Sequence, residues 1–217
     1  ILDKGHMKDR ESDRSYRTIS TCPLIAKALD YYVGTLYSDG WADAQAETQF
    51  QGSGSSHELA ALLLTESVNS SLYSAKKPVY ILLLDAKSAF DLMPRESIIV
   101  NAYKAGTHDQ GLTYLSNRLG SRLTYCEWSK ALMGPIMDLL GVEQGGINSD
   151  RLYKLANNDQ LTVAQHSNLG IDIQSSIISA IGQADDSALQ ANDIHSLQNL
   201  LILTLEYCKR YNVTLVP

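Results

Sequence analysis

The stretch "SAIGQADDSALQ", residues 179–190, places two adjacent aspartates, Asp185 and Asp186, between two short apolar runs. Such runs are typical of β-strands, so the pattern predicts a hairpin that carries the acidic pair at its bend. A chain with 16 aspartates contains about one adjacent pair by chance. The pair by itself therefore indicates only a polar turn, and its neighbours in the sequence have to decide whether it is a site.

A third carboxylate, Asp85, directly follows residues 79–84, "VYILLL". This continuous apolar run is short enough for a strand that is buried on both faces. If the predicted hairpin lies beside this strand, the three carboxylates converge. Two carboxylates ~4 Å apart repel each other by about 4 kcal/mol at an effective dielectric constant near 20, so a cation is needed. Oxygen ligands without a His or Cys partner favour Mg²⁺ or Mn²⁺.

Carboxylates that hold divalent metal ions in this way are suited to phosphoryl-transfer reactions. Two metal ions about 3.5 to 4 Å apart stabilise both the attacking and the leaving oxygen of an in-line phosphoryl displacement. The sequence therefore favours nucleotidyl transfer.

Helices are predicted between these strands. Local signals place them at residues 22–38, after a Ser55–Glu58 capping box, from Pro94 to a Gly106 cap, at 109–120, after Asn148 or Ser149, and after Asp193. The first helix has an apolar face that includes Leu24, Ile25, Leu29 and Tyr32, and the last has one of Ile194, Leu197, Leu201, Leu205 and Cys208. Strands separated by helices, with a hairpin among them, indicate an antiparallel or mixed sheet backed by helices.

Composition sets limits on the class of protein. The 217 residues, 44% of them hydrophobic, fit one large domain or two small lobes, and the net charge of -6 argues against a surface that binds nucleic acid everywhere. No apolar run reaches about 18 residues, so no membrane segment is expected. The three cysteines are widely spaced: Cys22, Cys126 and Cys208. They indicate neither a zinc site nor a disulfide framework, and they favour an intracellular protein. Whether that protein acts in the nucleus or in the cytoplasm is left open.

Three ordered segments together resemble a known family. "LLLDAKSAFD" (82–91), "GVEQGG" (141–146) and "GQADDSAL" (182–189) resemble motifs A, B and C of the reverse transcriptase domain of non-LTR (LINE-type) retrotransposons. "SYRTIS" (15–20) is similar to a fingers motif of that family, and "SSHELAALLLTE" (55–66) is similar to its helix after the template-contacting loop. The resemblance covers nearly the whole chain.

The resemblance implies a right-hand polymerase of the α+β class. Its palm would be an antiparallel or mixed sheet backed by helices, and its fingers would combine helices and strands. Residues of about 1–78 would be mostly fingers, and about 79–217 would be palm with an insertion that contributes to the fingers. The thumb of the parent polyprotein is expected to be missing, because the sequence stops before the family's motif D lysine, primer grip and thumb.

The resemblance also implies a catalytic centre. Asp85 and Asp185 would bind two Mg²⁺ (or Mn²⁺) ions together with the backbone carbonyl of Ala86, and Asp186 would be the second acid of the pair. Gln183 departs from the family, which has an aromatic residue at that position.

A dNTP site is implied as well. Phe90 would exclude a 2′-hydroxyl, Gln144 and Gly145 would line the pocket, and Arg17 and Lys4 would pair with the triphosphate, a task that suits the arginine fork. Three of these residues also have a simpler interpretation. Phe90 could be a core residue, Gln144 could be an ordinary surface residue, and Arg17 could merely stack on Tyr16.

The expected function is an RNA-directed DNA polymerase of retrotransposition, with an RNA template, a DNA primer and dNTP as partners. The alternative is an inactive retroelement fragment that binds nucleic acid weakly or serves as an interaction domain. A third possibility is another palm-type polymerase, such as a group II intron maturase or an RNA-copying enzyme, although Phe90 argues against RNA synthesis.

Overall fold

The computed structural model describes residues 2–3, 16–17, 19–50, 56–86, 88–120, 122–128, 130–174 and 176–215. A π-helical segment, Ser70–Ala75, directly extends one helix, α3. The α-helices are α1 (Leu24–Leu36), α2 (Ser38–Asp43), α3 (His57–Asn69), α4 (Ala89–Leu92), α5 (Arg95–Lys104), α6 (Asp109–Arg118), α7 (Ser149–His166) and α8 (Ile194–Tyr211).

The strands form small antiparallel sheets. They are β1 (Leu2–Asp3), β2 (Tyr16–Arg17), β3 (Tyr80–Leu84), β4 (Arg122–Trp128), β5 (Ala131–Asp138), β6 (Ile171–Ile173), β7 (Ser176–Ile178), β8 (Ala180–Gln183) and β9 (Asp186–Ala191). The central sheet has the order β3-β9-β8, and the remaining strands pair as β1-β2, β4-β5 and β6-β7. The predicted α+β class, with antiparallel sheet and helices, is confirmed.

The predicted hairpin is the centre of this sheet. β8 and β9 pair antiparallel from Ala180↔Leu189 to Gln183↔Asp186, which leaves Ala184 and Asp185 as a two-residue turn. β3 pairs with the other edge of β9 and ends at Leu84↔Ser187. The register therefore brings the end of β3 beside the beginning of β9.

Helices pack on both sides of β8. Ala180 belongs to a hydrophobic cluster with Leu161 of α7 and Leu200 of α8, whereas Ile181 packs with Ala60 of α3. Because consecutive strand residues point to opposite faces, α7 and α8 cover one face and α3 the other. A further cluster joins α5, α6 and α7, with residues such as Ile98, Leu115 and Tyr153 at its centre.

The expectation that β3 is buried on both faces was wrong. β3 is an edge strand of the described sheet, and Leu83 is 73% exposed. Leu82 and Leu84, on the other face, pack against the cluster of α7 and α8. An apolar run cannot by itself distinguish a central strand from an edge strand.

The predicted apolar face of α1 was also wrong. Leu24 and Ile25 are largely exposed, and α1 instead buries Asp30, Val33 and Gly34. Asp30 pairs with Arg118 of α6, which makes the polar residue part of the interface. Burial of α1 is thus decided by a tertiary ion pair that periodicity does not reveal.

Two helix caps illustrate what local signals achieve. Asp193 accepts a hydrogen bond from the Ser196 amide at 2.8 Å and caps α8, as predicted. The α3 cap is Ser56, whose Oγ accepts from the Leu59 amide, and not Ser55, which lies outside the described residues.

The buried face of α8 is rotated relative to the predicted one. It consists of Leu200, Thr204, Tyr207 and Cys208, while Ile194 and Leu205 are about half exposed. No helix in the described ranges is both long and apolar enough to cross a membrane.

Candidate active site

The bend between β8 and β9 holds the acidic pair. Ala184 adopts a left-handed conformation with φ +58°, which is unfavourable for a residue with a Cβ atom. Its amide donates to Gln49 Oε1 at 3.3 Å. The chain around Gln49 also pairs with Gly182, through the Phe50 amide at 2.8 Å and the Gly182 amide to Thr48 at 2.8 Å. These contacts hold the bend and present Asp185 in the turn and Asp186 at the beginning of β9.

The three predicted carboxylates influence one another. Burial raises the pKa of Asp186, and the charges of Asp185 and Asp85 raise it further. Burial also raises the pKa of the Tyr153 hydroxyl, and the charges of Asp185, Asp186 and Asp85 add to that effect. The strand register gives the geometry: Asp85 follows Leu84 at the end of β3 beside the beginning of β9, where Asp186 lies, and Asp185 is in the adjoining turn.

The donor set at this place fits a hard divalent cation. It offers only carboxylate and carbonyl oxygen atoms, which are the ligands that Mg²⁺ and Mn²⁺ prefer. Among the described residues no three His, Cys, Asp or Glu side chains lie close enough together to hold a metal ion by themselves. Mg²⁺ is usually held by one or two carboxylates together with water and substrate phosphates, so an open arrangement suits it.

Two of the three acids, Asp85 and Asp186, border an open cleft. Its volume is about 640 Å³, and Asp85, Gln183 and Asp186 provide carboxylate and amide groups on its wall. The rest of the lining is mainly apolar and comes from α3 and the central sheet, with residues such as Leu64 and Ile181. A cavity of this size with a few polar groups is typical of small-molecule sites.

Residues 141–146 lie directly against residues 90–93. The Val142 amide donates to the Phe90 carbonyl and the Gly141 amide to the Met93 carbonyl, both at 2.8 Å. Gly141 has φ +73°, and a Cβ atom there would lie 2.4 Å from the Phe90 carbonyl oxygen. Only glycine permits this approach.

Gln144 and Gly145 contact two other segments of the chain, one at Asp91 and one at residues 19–20. Gln144 Nε2 donates to the Asp91 carboxylate at 3.3 Å, and the Gln144 carbonyl accepts from the Ser20 amide at 3.0 Å. Gly145 has φ +93° and lies against Ile19. The N-terminal segment thus passes beside the loop that was predicted to line the dNTP pocket.

Arg17 belongs to β2, three residues before Ser20. Three residues span at most about 11 Å, so the Arg17 backbone lies within that distance of Ser20, whose amide contacts the Gln144 carbonyl. The Arg17 side chain and Lys4 lie outside the described part of the chain. Ala86 is buried, and its backbone pairs with Leu215.

The sequence matches the family model "Reverse transcriptase (RNA-dependent DNA polymerase)" over residues 6–217. The chain belongs to the reverse transcriptase family. A search of curated protein sequences finds no match.

Two solved telomerase structures share the fold of this reverse transcriptase domain. One is telomerase from Candida albicans in complex with a TWJ fragment of telomeric RNA, with a TM-score of 0.57 and 10% identity over 89% of this chain. The other is apo telomerase from Candida tropicalis truncated from its C-terminal domain, with a TM-score of 0.54 and 12% identity over 86%. The chain spans 35% and 40% of those proteins, respectively.

Phe90, in the segment that resembles motif A, lies in α4 and is half-buried. Its ring stacks on Tyr153 of α7, with centroids 4.6 Å apart and an interplanar angle of 17°. Sequence reasoning missed Tyr153. The available signal was an aromatic residue in the first turns of the helix that follows motif B.

A partly buried ion network anchors the loop of residues 141–146, and sequence reasoning also missed it. Glu143 accepts from Arg118 at 2.6 Å and from Arg122 at 2.5 Å. Burial alone would raise the pKa of Glu143, but the hydrogen bond and charge of Arg118, with the charge of Arg122, outweigh it and lower that pKa. An acidic residue between Val142 and Gln144, inside a glycine-bounded loop, was the signal for this anchor.

Arg95 is the most constrained member of this network. Its Nε donates to the Gly141 carbonyl at 2.9 Å, and its two Nη atoms reach the Gly120, Leu140 and Asp138 carbonyls and the Asp138 carboxylate. These bonds use all five guanidinium N–H groups. Arg95 therefore ties the chain that leads into motif B to the base of the β4-β5 hairpin.

Proposed function

We propose that this domain is an RNA-directed DNA polymerase that joins nucleotides from dNTP to the 3′-hydroxyl of a DNA primer on an RNA template. The observation that supports the proposal is the strand pairing that places Asp85 beside the beginning of β9, with Asp186 at that end, Asp185 in the adjoining turn, and Asp85 and Asp186 on the wall of a cleft. Membership in the reverse transcriptase family supports the same reaction.

Asp85, Asp185 and the Ala86 carbonyl are proposed to hold Mg²⁺ or Mn²⁺, with Asp186 beside them. The bound ions would supply stabilisation of the charge that develops during phosphoryl displacement. The protein's own contribution is a rigid set of carboxylates: a turn tied to Gln49 and a strand end fixed by pairing with β9. Preorganised groups of this kind need no rearrangement during the reaction.

The dNTP is proposed to lie between motif A and motif B. Phe90 would face the sugar, and Gln144 and Gly145 would line the pocket from the loop that Ser20 and Asp91 hold in place. Arg17 and Lys4 would neutralise the triphosphate. A triphosphate requires concentrated positive charge, and the net charge of -6 means that such binding has to be local.

The finer assignment is a non-LTR retrotransposon enzyme, in which about 1–78 would be mostly fingers and about 79–217 palm. Motifs A, B and C and the "SYRTIS" segment support this assignment. The telomerase of similar fold was solved with an RNA fragment, which favours RNA as the template partner of this chain too.

The test is Mg²⁺-dependent dNTP incorporation by the purified chain on a primed RNA template. Asp185→Asn should lower turnover at least about a hundredfold, because a group that stabilises transition-state charge is lost. Asp172→Asn, an exposed acid in β6, is the matched control and should retain turnover. Undiminished incorporation by Asp185→Asn in a preparation free of other polymerases would refute the proposal.

A second candidate is an inactive retroelement fragment that only binds nucleic acid weakly or packs against a partner. The acidic net charge and Gln183, in place of the family's aromatic residue, favour it. It predicts a folded chain that incorporates no dNTP with either Mg²⁺ or Mn²⁺.

A further inference from the structure

The ring of Phe90 lies against a single rigid aromatic partner. Tyr153 is 1% exposed, lies in the first turns of the 18-residue helix α7, and stacks on Phe90 at 4.6 Å and 17°. Stacked aromatic pairs have a preferred relative orientation, so a fixed ring fixes the plane of its neighbour. Phe90 itself is only half-buried and therefore has one side that Tyr153 does not cover.

The element that carries Phe90 is too short to fix that side chain alone. α4 has four residues and follows Ser88, which has φ +50°. The Phe90 backbone is tied to motif B by the Val142 amide, but this bond leaves the side chain free to rotate about χ1. Packing against the buried cluster to which Tyr153 belongs supplies the missing constraint, and within it Tyr153 makes the ring-on-ring contact.

Tyr153 belongs to the same buried cluster as Ala86, which directly follows Asp85 in the chain. The residue that stacks on the predicted sugar-selecting side chain thus also packs with the chain next to a predicted metal ligand.

We propose that Tyr153 is a positioning residue that holds Phe90 against the sugar of the incoming nucleotide and so sets the discrimination between dNTP and rNTP. The inference rests on the proposed polymerase function. The aromatic ring carries this role, since the stack is made by the ring and not by the hydroxyl. Removal of the ring should let Phe90 turn away and admit a 2′-hydroxyl.

The test is the ratio of kcat/KM for a dNTP to kcat/KM for the matching rNTP, measured with the purified chain. Tyr153→Phe keeps the ring and should keep the ratio. Tyr153→Leu should lower the ratio about tenfold, the scale on which pocket shape discriminates substrates. Tyr153→Met, with a longer unbranched side chain, provides the same comparison if the leucine variant folds poorly.

Two controls separate positioning from general loss of packing. Leu200→Ala removes a fully buried side chain from the cluster that α7 and α8 form against the central sheet. It should lower the melting temperature without changing the ratio of kcat/KM for dNTP to kcat/KM for rNTP. In a Phe90→Ala background, Tyr153→Leu should have no further effect on the ratio, because the residue it positions is gone.

An unchanged ratio in folded, active Tyr153→Leu or Tyr153→Met would overturn the inference. An equal fall in Leu200→Ala would also overturn it. Absence of any incorporation by the wild-type chain is a different result, which would overturn the proposed function and this inference with it.

Discussion

Arg95 shows how much one side chain can organise. It is almost fully buried and donates to four backbone carbonyls and one carboxylate that come from the two ends of the β4-β5 hairpin and the entry to motif B. Burial lowers the pKa of its guanidinium, and the charge of Asp138 acts in the opposite direction. A planar fork suits this set of acceptors, whereas an ammonium group does not.

We therefore expect Arg95→Lys to lower the free energy of unfolding by about 2–3 kcal/mol, because buried acceptors lose charged donors. Urea denaturation of the two proteins measures the difference. Arg210→Lys, at an exposed position of α8, should change stability by less than about 0.5 kcal/mol. Equal effects at the two positions would contradict the role given to Arg95.

Glu143 predicts a pH dependence of stability. Its pKa in the folded chain is below the ordinary value of 4.5, so the unfolded chain takes up the proton first as pH falls. The stability that Glu143 contributes is then fully present above about pH 4.5 and is lost as pH falls through the lower folded pKa. Glu143→Gln should cost roughly 3 kcal/mol at neutral pH, since it leaves Arg118 and Arg122 underpaired.

The measurement is the free energy of unfolding of wild type and Glu143→Gln between about pH 7 and pH 3. The gap between the two curves should narrow below about pH 4.5. A gap of constant size across this range would show that the carboxylate charge does not stabilise the fold.

Ala184 carries backbone strain at the bend. A left-handed conformation costs a non-glycine residue roughly 1–2 kcal/mol, whereas glycine adopts it freely. Ala184→Gly should therefore raise the free energy of unfolding by about 0.5–1 kcal/mol. Ala180→Gly, in the fully buried β8, should lower it. Thermal denaturation of both variants tests this, and a loss of stability in Ala184→Gly would contradict the assigned conformation.

At the scale of elements, local signals predicted well where the cause of structure is local. The hairpin of β8 and β9, the helix after Pro94 and the Asp193 cap depend on residues only a few positions apart. The exposed face of α1 and the edge position of β3 depend on distant partners. Periodicity says that a helix or strand has an apolar side, but not which neighbour that side meets.

The residues of the candidate site also fall into two groups, those that sequence motifs mark and those whose role comes from distant contacts. Asp85, Asp185 and Asp186 remain predictions that rest on the resemblance to the family's motifs, which mark them in the sequence. Tyr153, Arg95 and Glu143 could not be predicted, because their roles come from contacts with residues far away in the chain. Sequence reasoning therefore found the groups proposed for chemistry and missed those that hold them in place.

At the scale of the whole molecule, the site is assembled from separate parts of the chain. The Ser20 amide reaches the Gln144 loop, that loop rests on Phe90, and Asp85 lies beside the hairpin of Asp185 one hundred positions later. Helices on both faces of the central sheet fix these parts relative to one another. The cleft and the arrangement of the acids therefore depend on contacts between distant parts of the described chain.

The most direct test of this account is Mn²⁺ binding, followed by electron paramagnetic resonance, in the presence of a primed RNA template with a 3′-deoxy primer end and the matching dNTP. Wild type and the control Asp172→Asn should bind Mn²⁺ alike, whereas Asp85→Asn and Asp185→Asn should each weaken binding at least about tenfold. Equal Mn²⁺ affinity in all four proteins would contradict the claim that Asp85 and Asp185 hold the metal.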